Sequence, residues 1–191
     1  ELGKPIAELF AELDDAPLAA ASLAQVHAAT LLDGTRVVVK VQVPGIDDVI
    51  AADVAALRTL AGSFDVPGID LPTIASELSR ALAIELDYEA EATALASYRG
   101  AAIVPAPITA LTTKRILTMT RIDGARLIEW LDRSSDAHEQ RDALLAELVN
   151  EVAAQILVRG QGHADPHPGN FLVTPAGTRA LPHVGCMLEL T

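Results

Sequence analysis

The residues best suited to chemistry lie in one stretch near the carboxyl end of the chain, Gly162 to Asn170, with the sequence Gly-His-Ala-Asp-Pro-His-Pro-Gly-Asn. Its two prolines remove backbone donors and fix φ, and its glycines permit tight turns, so we expect a stiff loop rather than a helix. The loop displays Asp165 and, five positions later, Asn170. Such a pair suits phosphoryl transfer, in which an aspartate orients or deprotonates the nucleophile and a downstream asparagine binds magnesium.

Two other interpretations of this loop stay open on residue types alone. His163, Asp165 and His167 could form a zinc or iron site, because imidazole and carboxylate groups bind both metals. The prolines and glycines could also mark a purely structural turn. Phosphoryl transfer is favoured if the rest of its machinery is present upstream.

A candidate phosphate-binding lysine lies upstream in a valine-rich strand. Residues 31–43 predict a β-hairpin, with Asp33-Gly34 as the turn and a β-branched run as the return strand. Strand alternation places the odd-numbered valines on one face and Lys40 with Gln42 on the other. A lone lysine among valines is often a solvent-facing residue of an edge strand. Paired with the later loop, Lys40 is better interpreted as the phosphate-binding lysine of a kinase-like small lobe.

An alanine-rich segment, Ala19-Ala20-Ala21-Ser22, precedes the hairpin where a protein kinase has its glycine-rich phosphate loop. Alone, an alanine run indicates only helix propensity. Because alanine allows fewer backbone angles than glycine, a loop built from it should approach phosphates less freely.

These pieces resemble the UbiB/AarF-type atypical kinases, also called the ADCK or coenzyme Q family. The matching pieces are Ala19-Ala20-Ala21-Ser22, the Val-Val-Val-Lys ending at Lys40, Glu85-Leu86-Asp87, Ile122-Asp123-Gly124 and the stretch from His163 to Asn170. The resemblance covers essentially the whole chain, which corresponds to part of such a domain. It implies an α+β, bilobal protein-kinase-like fold, with residues 1–122 as the small lobe with inserted helices and residues 123–191 as the start of the large lobe.

The resemblance also implies a role for residues of the first half of the chain. Ala19, Ala20, Ala21 and Ser22 would form the nucleotide loop. Lys40 would bind the phosphates, with Glu91 as its ion-pair partner. Glu85 and Asp87 match the family's Glu-x-Asp element, a regulatory-type pair that faces a lysine of an N-terminal extension in relatives.

Further roles follow for the second half. The hinge between the lobes would run from Thr120 to Asp123, with Thr120 and Ile122 at the adenine. Asp165 would be the catalytic-loop aspartate and Asn170 the metal-binding asparagine. The implied cofactors are therefore ATP or ADP, with Mg²⁺.

Helix geometry tests the Glu-x-Asp element independently. A helix that opens at Pro72 could continue to Leu95, since proline is tolerated in a first turn. Glu85 and Asp87 would then lie about 200° apart around the axis and could not face one cation. We therefore predict a bend or a fresh helix start between Ala83 and Glu89. An ordinary acidic, solvated helix face is the alternative.

One position departs from the family pattern. Relatives carry Asp-Phe-Gly after the catalytic loop, with an aspartate that binds magnesium, whereas this chain reads His183-Val184-Gly185. Histidine is a poor ligand for magnesium, so Asn170 would be the main protein ligand. Three outcomes stay open: an impaired pseudokinase, direct phosphate binding by His183, or a transition metal in place of magnesium.

The other helices and strands follow from periodicity and turn residues. We expect a short helix from Pro5 to Leu13, a helix around residues 47–60 and a strand over residues 115–119. A helix near Arg126 and a long helix over about residues 137–158, ended by Gly160, should follow. The chain also lacks the Lys-x-Gly-Gln extension of relatives and stops six residues past Gly185, so a fragment or a shortened homologue is expected.

Composition limits the partners. The chain has 14 lysines and arginines against 26 acidic residues, a net charge of −12, which argues against nucleic acid and against binding anionic membranes by charge alone. Its single cysteine, Cys186, excludes an internal disulfide and indicates a reducing compartment. The longest uncharged run, residues 16–32, is shorter than the roughly 20 apolar residues of a membrane span. A cytoplasmic location, peripheral to a membrane at most, is expected.

The function that the resemblance implies is ATPase activity or phosphorylation of a small molecule or lipid, coupled to isoprenoid quinone metabolism. Prenyl-quinone precursors or lipids, and quinone-pathway enzymes, would be the partners. The rival class is a pseudokinase that acts as a nucleotide-gated binding scaffold. A metal hydrolase using His163, Asp165 and His167 is a third and more distant alternative.

Overall fold

The computed structural model describes residues 1–63, 68–134, 138–163, 167–181 and 187–189, with the backbone alone in residues 161–163 and 187–189. The chain forms two compact units. The first comprises residues 1–90 and 110–118, and the second comprises residues 91–109 and 119–191. The expected lobe boundary at residue 122 stays a prediction.

The first unit is organised by an antiparallel sheet. Its strands are β1 (Phe10–Ala20), β2 (Ala24–Leu31), β3 (Arg36–Gln42) and β4 (Ile116–Thr120), in the order β1-β2-β3-β4; the first three residues of β4 belong to this unit. The predicted hairpin is confirmed, because β2 and β3 pair along their length and Asp33 Oδ1 accepts a 2.9 Å hydrogen bond from the Thr35 amide in the turn. The sheet packs an aliphatic core in which Val37 and Leu117 are fully buried.

The helix predicted from Pro5 to Leu13 is wrong. A single 3₁₀ turn (Ile6–Glu8) leads directly into β1. Pairing with β2 outweighs the helix propensity of the alanine and glutamate residues in this segment. The β1 strand lies at an edge of the sheet, and its register shifts on both sides of Pro17, which has no amide to donate to a ladder.

The helices of the first unit are α1 (Ile46–Ala61), α2 (Leu71–Glu85) and the beginning of α3 (Tyr88–Ser97). Asp70 caps α2, because its Oδ1 accepts a 3.1 Å hydrogen bond from the Thr73 amide, and Pro72 lies in the first turn as expected. The predicted fresh helix start is confirmed, since α2 ends at Glu85 and α3 begins at Tyr88.

The second unit combines the remainder of α3 with α4 (Leu127–Arg133) and α5 (His138–Leu157). Five short strands complete it: β5 (Ala125–Arg126), β6 (Gln161–His163), β7 (Leu172–Val173), β8 (Arg179–Ala180) and β9 (Met187–Glu189). They form a sheet in the order β5-β7-β8 and a β6-β9 pair. Gly160 follows α5 with a φ of 61°, so the predicted end of this helix is confirmed.

The core of the second unit is mainly aliphatic. Its buried side chains include Leu127, Leu144, Leu148, Phe171 and Leu181. Antiparallel sheets and separate helices make the chain α+β, the class expected from its sequence. Within the described ranges, no helix is both long and apolar enough to cross a bilayer.

Candidate functional site

Lys40 lies on β3, an inner strand between β2 and β4. It is therefore not a solvent-facing lysine of an edge strand, the alternative that its sequence left open. Its side chain is half-buried, and Nζ lies 4.5 Å from the centroid of the Tyr88 ring. A cation at this distance from a ring face is stabilised by about 0.5–2 kcal/mol, depending on its desolvation. Tyr88 itself is only 1% exposed, so the aromatic surface under the ammonium group is fixed.

Gln42, two residues after Lys40 on the same strand, is a buried clamp that the sequence analysis missed. Its Nε2 donates to the Leu86 carbonyl at 2.7 Å and to the Lys114 carbonyl at 3.1 Å. The Tyr88 amide donates to the same Lys114 carbonyl at 3.3 Å. The end of β3 therefore holds the junction between α2 and α3 against the residues that lead into β4. A lone amide in a valine-rich strand, on the face of Lys40, was the available signal.

The Glu-x-Asp element lies at this junction. Glu85 is the last residue of α2, and Asp87 precedes the first residue of α3. Asp87 Oδ1 accepts a 3.0 Å hydrogen bond from the Ala90 amide, which makes Asp87 the N-cap of α3. Both side chains are half-buried. Because of the helix break, the Glu85 and Asp87 side chains do not follow the roughly 200° spacing of one continuous helix. Asp87 also has a structural role as a helix cap, which the spacing alone did not indicate.

The alanine-rich segment lies at the tip of the β1–β2 hairpin. Ala19 and Ala20 end β1, and the Ala21 amide donates to the Ala24 carbonyl at 2.8 Å across the turn. Ala19 to Ser22 are all exposed. The role of these residues in nucleotide binding stays a prediction.

Glu91 and the expected hinge belong to the second unit. Glu91 lies on α3 and is 5% exposed. Its ion pair with Lys40 stays a prediction, because the two residues belong to different compact units. In the hinge, the Thr120 amide donates to the Ala106 carbonyl at 2.9 Å and Thr120 Oγ1 accepts from the Ala106 amide at 2.8 Å. These bonds fix the backbone at Thr120, the first residue of the expected hinge. Adenine contacts at Thr120 and the half-buried Ile122 stay predictions.

Asn170 ends a 3₁₀ turn (Pro168–Asn170) that follows the candidate catalytic residue in sequence. The Asn170 amide donates to the His167 carbonyl at 2.8 Å, and His167 Nδ1 accepts from the Gly169 amide at 3.0 Å. The half-buried Asn170 side chain is thus carried by a tight, internally bonded turn. In residues 167–170 this agrees with the stiff loop expected from the prolines, whereas Gly162 and His163 belong to β6 and residues 164–166 lie outside the described residues.

Asp165 and His183 lie outside the described residues, as do Val184, Gly185 and Cys186. Of the alternative metal trio, only the His167 side chain is described. No group of three or more histidine, cysteine, aspartate or glutamate side chains within the described part of the chain could hold a metal ion. The roles predicted for Asp165 and His183 therefore stay predictions.

A cavity of about 880 Å³ lies within the second unit, next to the expected hinge in sequence. It is bordered by Gly124, by the single tryptophan, Trp130, and by Val173. A Cβ atom at Gly124 would approach the Val173 carbonyl oxygen to 2.9 Å, so the backbone there needs glycine. Residues from α4, α5 and the β7–β8 turn form this cavity together, so no single segment of the sequence predicted it.

Comparison with known proteins identifies the family. The family model of the ABC1 atypical kinase-like domain matches residues 1–191. AarF domain-containing protein kinase 1 of Xenopus tropicalis is 34% identical over 194 residues, which cover 96% of this chain and 36% of that protein. A chloroplastic aarF domain-containing protein kinase of Arabidopsis thaliana is 38% identical over 198 residues, covering 98% of this chain and 27% of its own length.

A solved structure gives the same result. The Mycobacterium tuberculosis protein Rv3197, determined in complex with erythromycin, is 29% identical to this chain and superposes with a TM-score of 0.80. The match covers 99% of this chain and 49% of that one. The chain thus spans about a third of the length of the curated relatives and about half of the solved one. The expected kinase-like fold is confirmed, and the chain belongs to the ABC1/AarF atypical kinase-like family, the UbiB/AarF-type family that its sequence resembles.

Proposed function

We propose that this chain binds ATP or ADP and takes part in an ATPase or phosphotransferase reaction on a small molecule or lipid, linked to isoprenoid quinone metabolism. The observation that carries the proposal is the position of Lys40. It is a half-buried cation on an inner strand, held against Tyr88, in a sheet whose β1–β2 turn exposes Ala19 to Ser22. Family membership supports the nucleotide, and the quinone link rests on the family resemblance alone.

Each of these residues has a separate role in the proposed phosphoryl transfer. Lys40 would neutralise phosphate charge, and Asp165 would orient the acceptor hydroxyl or water and take its proton. Asn170 fits a magnesium ion through its side-chain oxygen, a ligand type that this hard cation accepts. When bound, magnesium supplies further neutralisation of the phosphates. Glu91 would orient Lys40 from α3.

A pseudokinase is the second candidate, and the residues His183-Val184-Gly185 favour it. Without the aspartate of the Asp-Phe-Gly element, magnesium loses its usual carboxylate ligand and the transferred phosphoryl group loses charge neutralisation. In this version, nucleotide occupancy sets the conformation of a scaffold that presents hydrophobic precursors to partner enzymes.

One preparation can separate the two candidates. We would titrate ATP and ADP calorimetrically, with and without magnesium, and then measure phosphate release. The same measurements would be made on Asp165→Asn and on Asp142→Asn, an exposed aspartate of α5, as the matched control. Binding with release that only Asp165→Asn removes supports the enzyme. Magnesium-insensitive binding without release supports the pseudokinase, and no binding by the wild type contradicts both.

The acceptor class requires a second assay. Wild-type protein and Asp165→Asn would be incubated with ATP labelled at the γ-phosphate and with vesicles containing a prenylated phenol. Label that appears in the lipid fraction with the wild type alone supports lipid phosphorylation. Label found solely in free phosphate supports an ATPase. Co-sedimentation with the same vesicles tests the peripheral membrane location that belongs to this proposal.

A further inference from the structure

A buried carboxylate in the second unit has no place in the proposed chemistry. Glu151 of α5 is only 4% exposed. Its Oε1 accepts hydrogen bonds from the Tyr98 hydroxyl at 2.9 Å, Gln155 Nε2 at 3.2 Å and Arg159 Nη2 at 2.6 Å. Its Oε2 accepts from the Ala101 amide at 3.2 Å. Every donor around this carboxylate favours its ionised form.

The electrostatics agree with this geometry. Burial on its own raises the pKa of Glu151, because it removes the charge from water. The hydrogen bonds and the positive charge of Arg159 outweigh burial, so the pKa of Glu151 is lowered overall. A buried ion pair is usually a weak source of stability compared with apolar packing. Stability alone therefore does not explain why Glu151 is buried among this set of donors.

Two of the partners of Glu151, Tyr98 and Ala101, lie on residues 98–103, the post-α3 segment, which leaves α3 directly after Ser97. The same segment pairs with β8 and the residue after it. The Ile103 amide donates to the Arg179 carbonyl at 3.1 Å, and the Leu181 amide donates to the Ile103 carbonyl at 2.8 Å. Arg179 also forms an ion pair with Glu147, one turn before Glu151 on α5. The post-α3 segment is thus held between α5 on one side and β8 on the other.

Gly100 makes this packing specific. A Cβ atom at this position would overlap the Tyr98 hydroxyl and Glu151 Oε1. The segment therefore reaches the carboxylate only because residue 100 has no side chain. Adding a methyl group there should separate the segment from α5 without removing any polar group.

We propose that Glu151 is a positioning residue that holds α3 and β8 in one fixed arrangement through the post-α3 segment. The α3 helix carries Glu91, and β8 ends three residues before His183. The importance of Glu151 for nucleotide binding rests on the proposed function. Because the carboxylate binds a backbone amide of the segment as well as side chains, it restrains the path of the main chain. An apolar residue could fill the same volume without that restraint.

Hydrogen exchange measured by mass spectrometry tests the restraint without any nucleotide. The variants are Gly100→Ala and Glu151→Gln. The matched controls are Gly62→Ala, where a Cβ atom lies 3.5 Å from its nearest neighbour, and Glu129→Gln, a side chain that is 52% exposed. We expect faster exchange in residues 91–103 and 179–181 for both variants, and unchanged exchange in the β2–β3 hairpin and in both controls. Unchanged exchange in residues 91–103, or an increase spread evenly over the chain, overturns the proposal.

Nucleotide titration of the same proteins tests the consequence. We expect Gly100→Ala and Glu151→Gln to raise the Kd for magnesium ATP about tenfold, with an unchanged stoichiometry, while the controls bind like the wild type. An unchanged Kd in variants whose exchange has increased overturns the link to the site. If the wild type binds no nucleotide, the proposed function fails, and the exchange result alone decides whether Glu151 holds α3 and β8.

Discussion

The ammonium nitrogen of Lys40 lies 4.5 Å from the centroid of the Tyr88 ring, at the start of α3. The almost fully buried ring of Tyr88 therefore restricts the direction of the flexible Lys40 side chain. Two residues further along β3, Gln42 binds the Leu86 carbonyl at the same helix junction. One face of β3 therefore carries both the expected phosphate-binding charge and the amide that fixes the surroundings of that charge.

Replacement of Lys40 tests where the phosphates bind. We expect Lys40→Ala to abolish the rise in Tm that ATP or ADP causes in the wild type, because the phosphates lose their main cationic contact in the first unit. Lys4→Ala is the control, since Lys4 is an exposed lysine of the same unit. Differential scanning fluorimetry with and without nucleotide measures the effect. If the stabilisation survives Lys40→Ala, the phosphate site has been assigned to the wrong residue.

Gln42 should contribute more to the free energy of unfolding than an exposed glutamine does. Gln42→Leu keeps the volume but removes the donor from the Leu86 and Lys114 carbonyls. We expect the free energy of unfolding to fall by about 2 kcal/mol, since buried acceptors lose their partner. Urea denaturation measures this, with Gln25→Leu, an exposed glutamine of β2, as the control. Equal losses in the two variants would argue against the clamp.

Local rules were sufficient for several elements. The Asp33-Gly34 turn predicted the β2–β3 hairpin. The offset of about 200° between Glu85 and Asp87 predicted the break between α2 and α3 once the family resemblance implied that both carboxylates face one cation. Both features depend on residues close together in sequence. The fresh start of α3 could therefore be inferred before its cap at Asp87 was known.

Long-range contacts explain what the sequence analysis missed. Gln42 bonds to partners 44 and 72 positions away, and Glu151 to partners 50 and 53 positions away. The periodicity of the sequence around Gln42 or Glu151 does not indicate which distant residues bond to them. The error from Pro5 to Leu13 has the same origin, because β1 is stabilised by pairing with residues of β2 rather than by its own propensity.

Asp87 offers a way to separate a structural role from a regulatory one. Asp87→Ala should reduce the free energy of unfolding by about 1 kcal/mol, because α3 loses its N-cap, whereas Asp87→Asn keeps a capping oxygen and most of the stability. The corresponding substitutions at Asp70, the N-cap of α2, are the controls. Urea denaturation and nucleotide titration would be run in parallel.

The regulatory role predicts one difference between the two caps. Asp87→Asn should change the nucleotide affinity at nearly constant stability, whereas Asp70→Asn should change neither property. If both asparagine variants bind nucleotide like the wild type, Asp87 acts as a helix cap only, and the regulatory part of the Glu-x-Asp prediction is wrong.

The Glu151–Tyr98 pair predicts opposite pH dependences of stability. Hydrogen bonds from Tyr98 and its neighbours lower the pKa of Glu151, so its contribution is present at neutral pH and is lost as the pH falls through the folded-state pKa. Burial, together with the bond to Glu151, raises the pKa of Tyr98 to about 12 from its ordinary 10.0. The unfolded chain therefore loses this proton first, and stability should fall as the pH rises from 10 towards 12.

Urea denaturation across the pH range distinguishes the two contributions. Relative to the wild type, Tyr98→Phe should be less sensitive to pH on the alkaline side, because phenylalanine cannot ionise. Glu151→Gln should be less stable at neutral pH, and its difference from the wild type should shrink as the pH falls and the wild-type carboxylate takes up its proton. Glu129→Gln, an exposed side chain of the same unit, is the control and should follow the wild type. A Glu151→Gln curve parallel to the wild type at low pH would mean that Glu151 is not held in its ionised form by these donors.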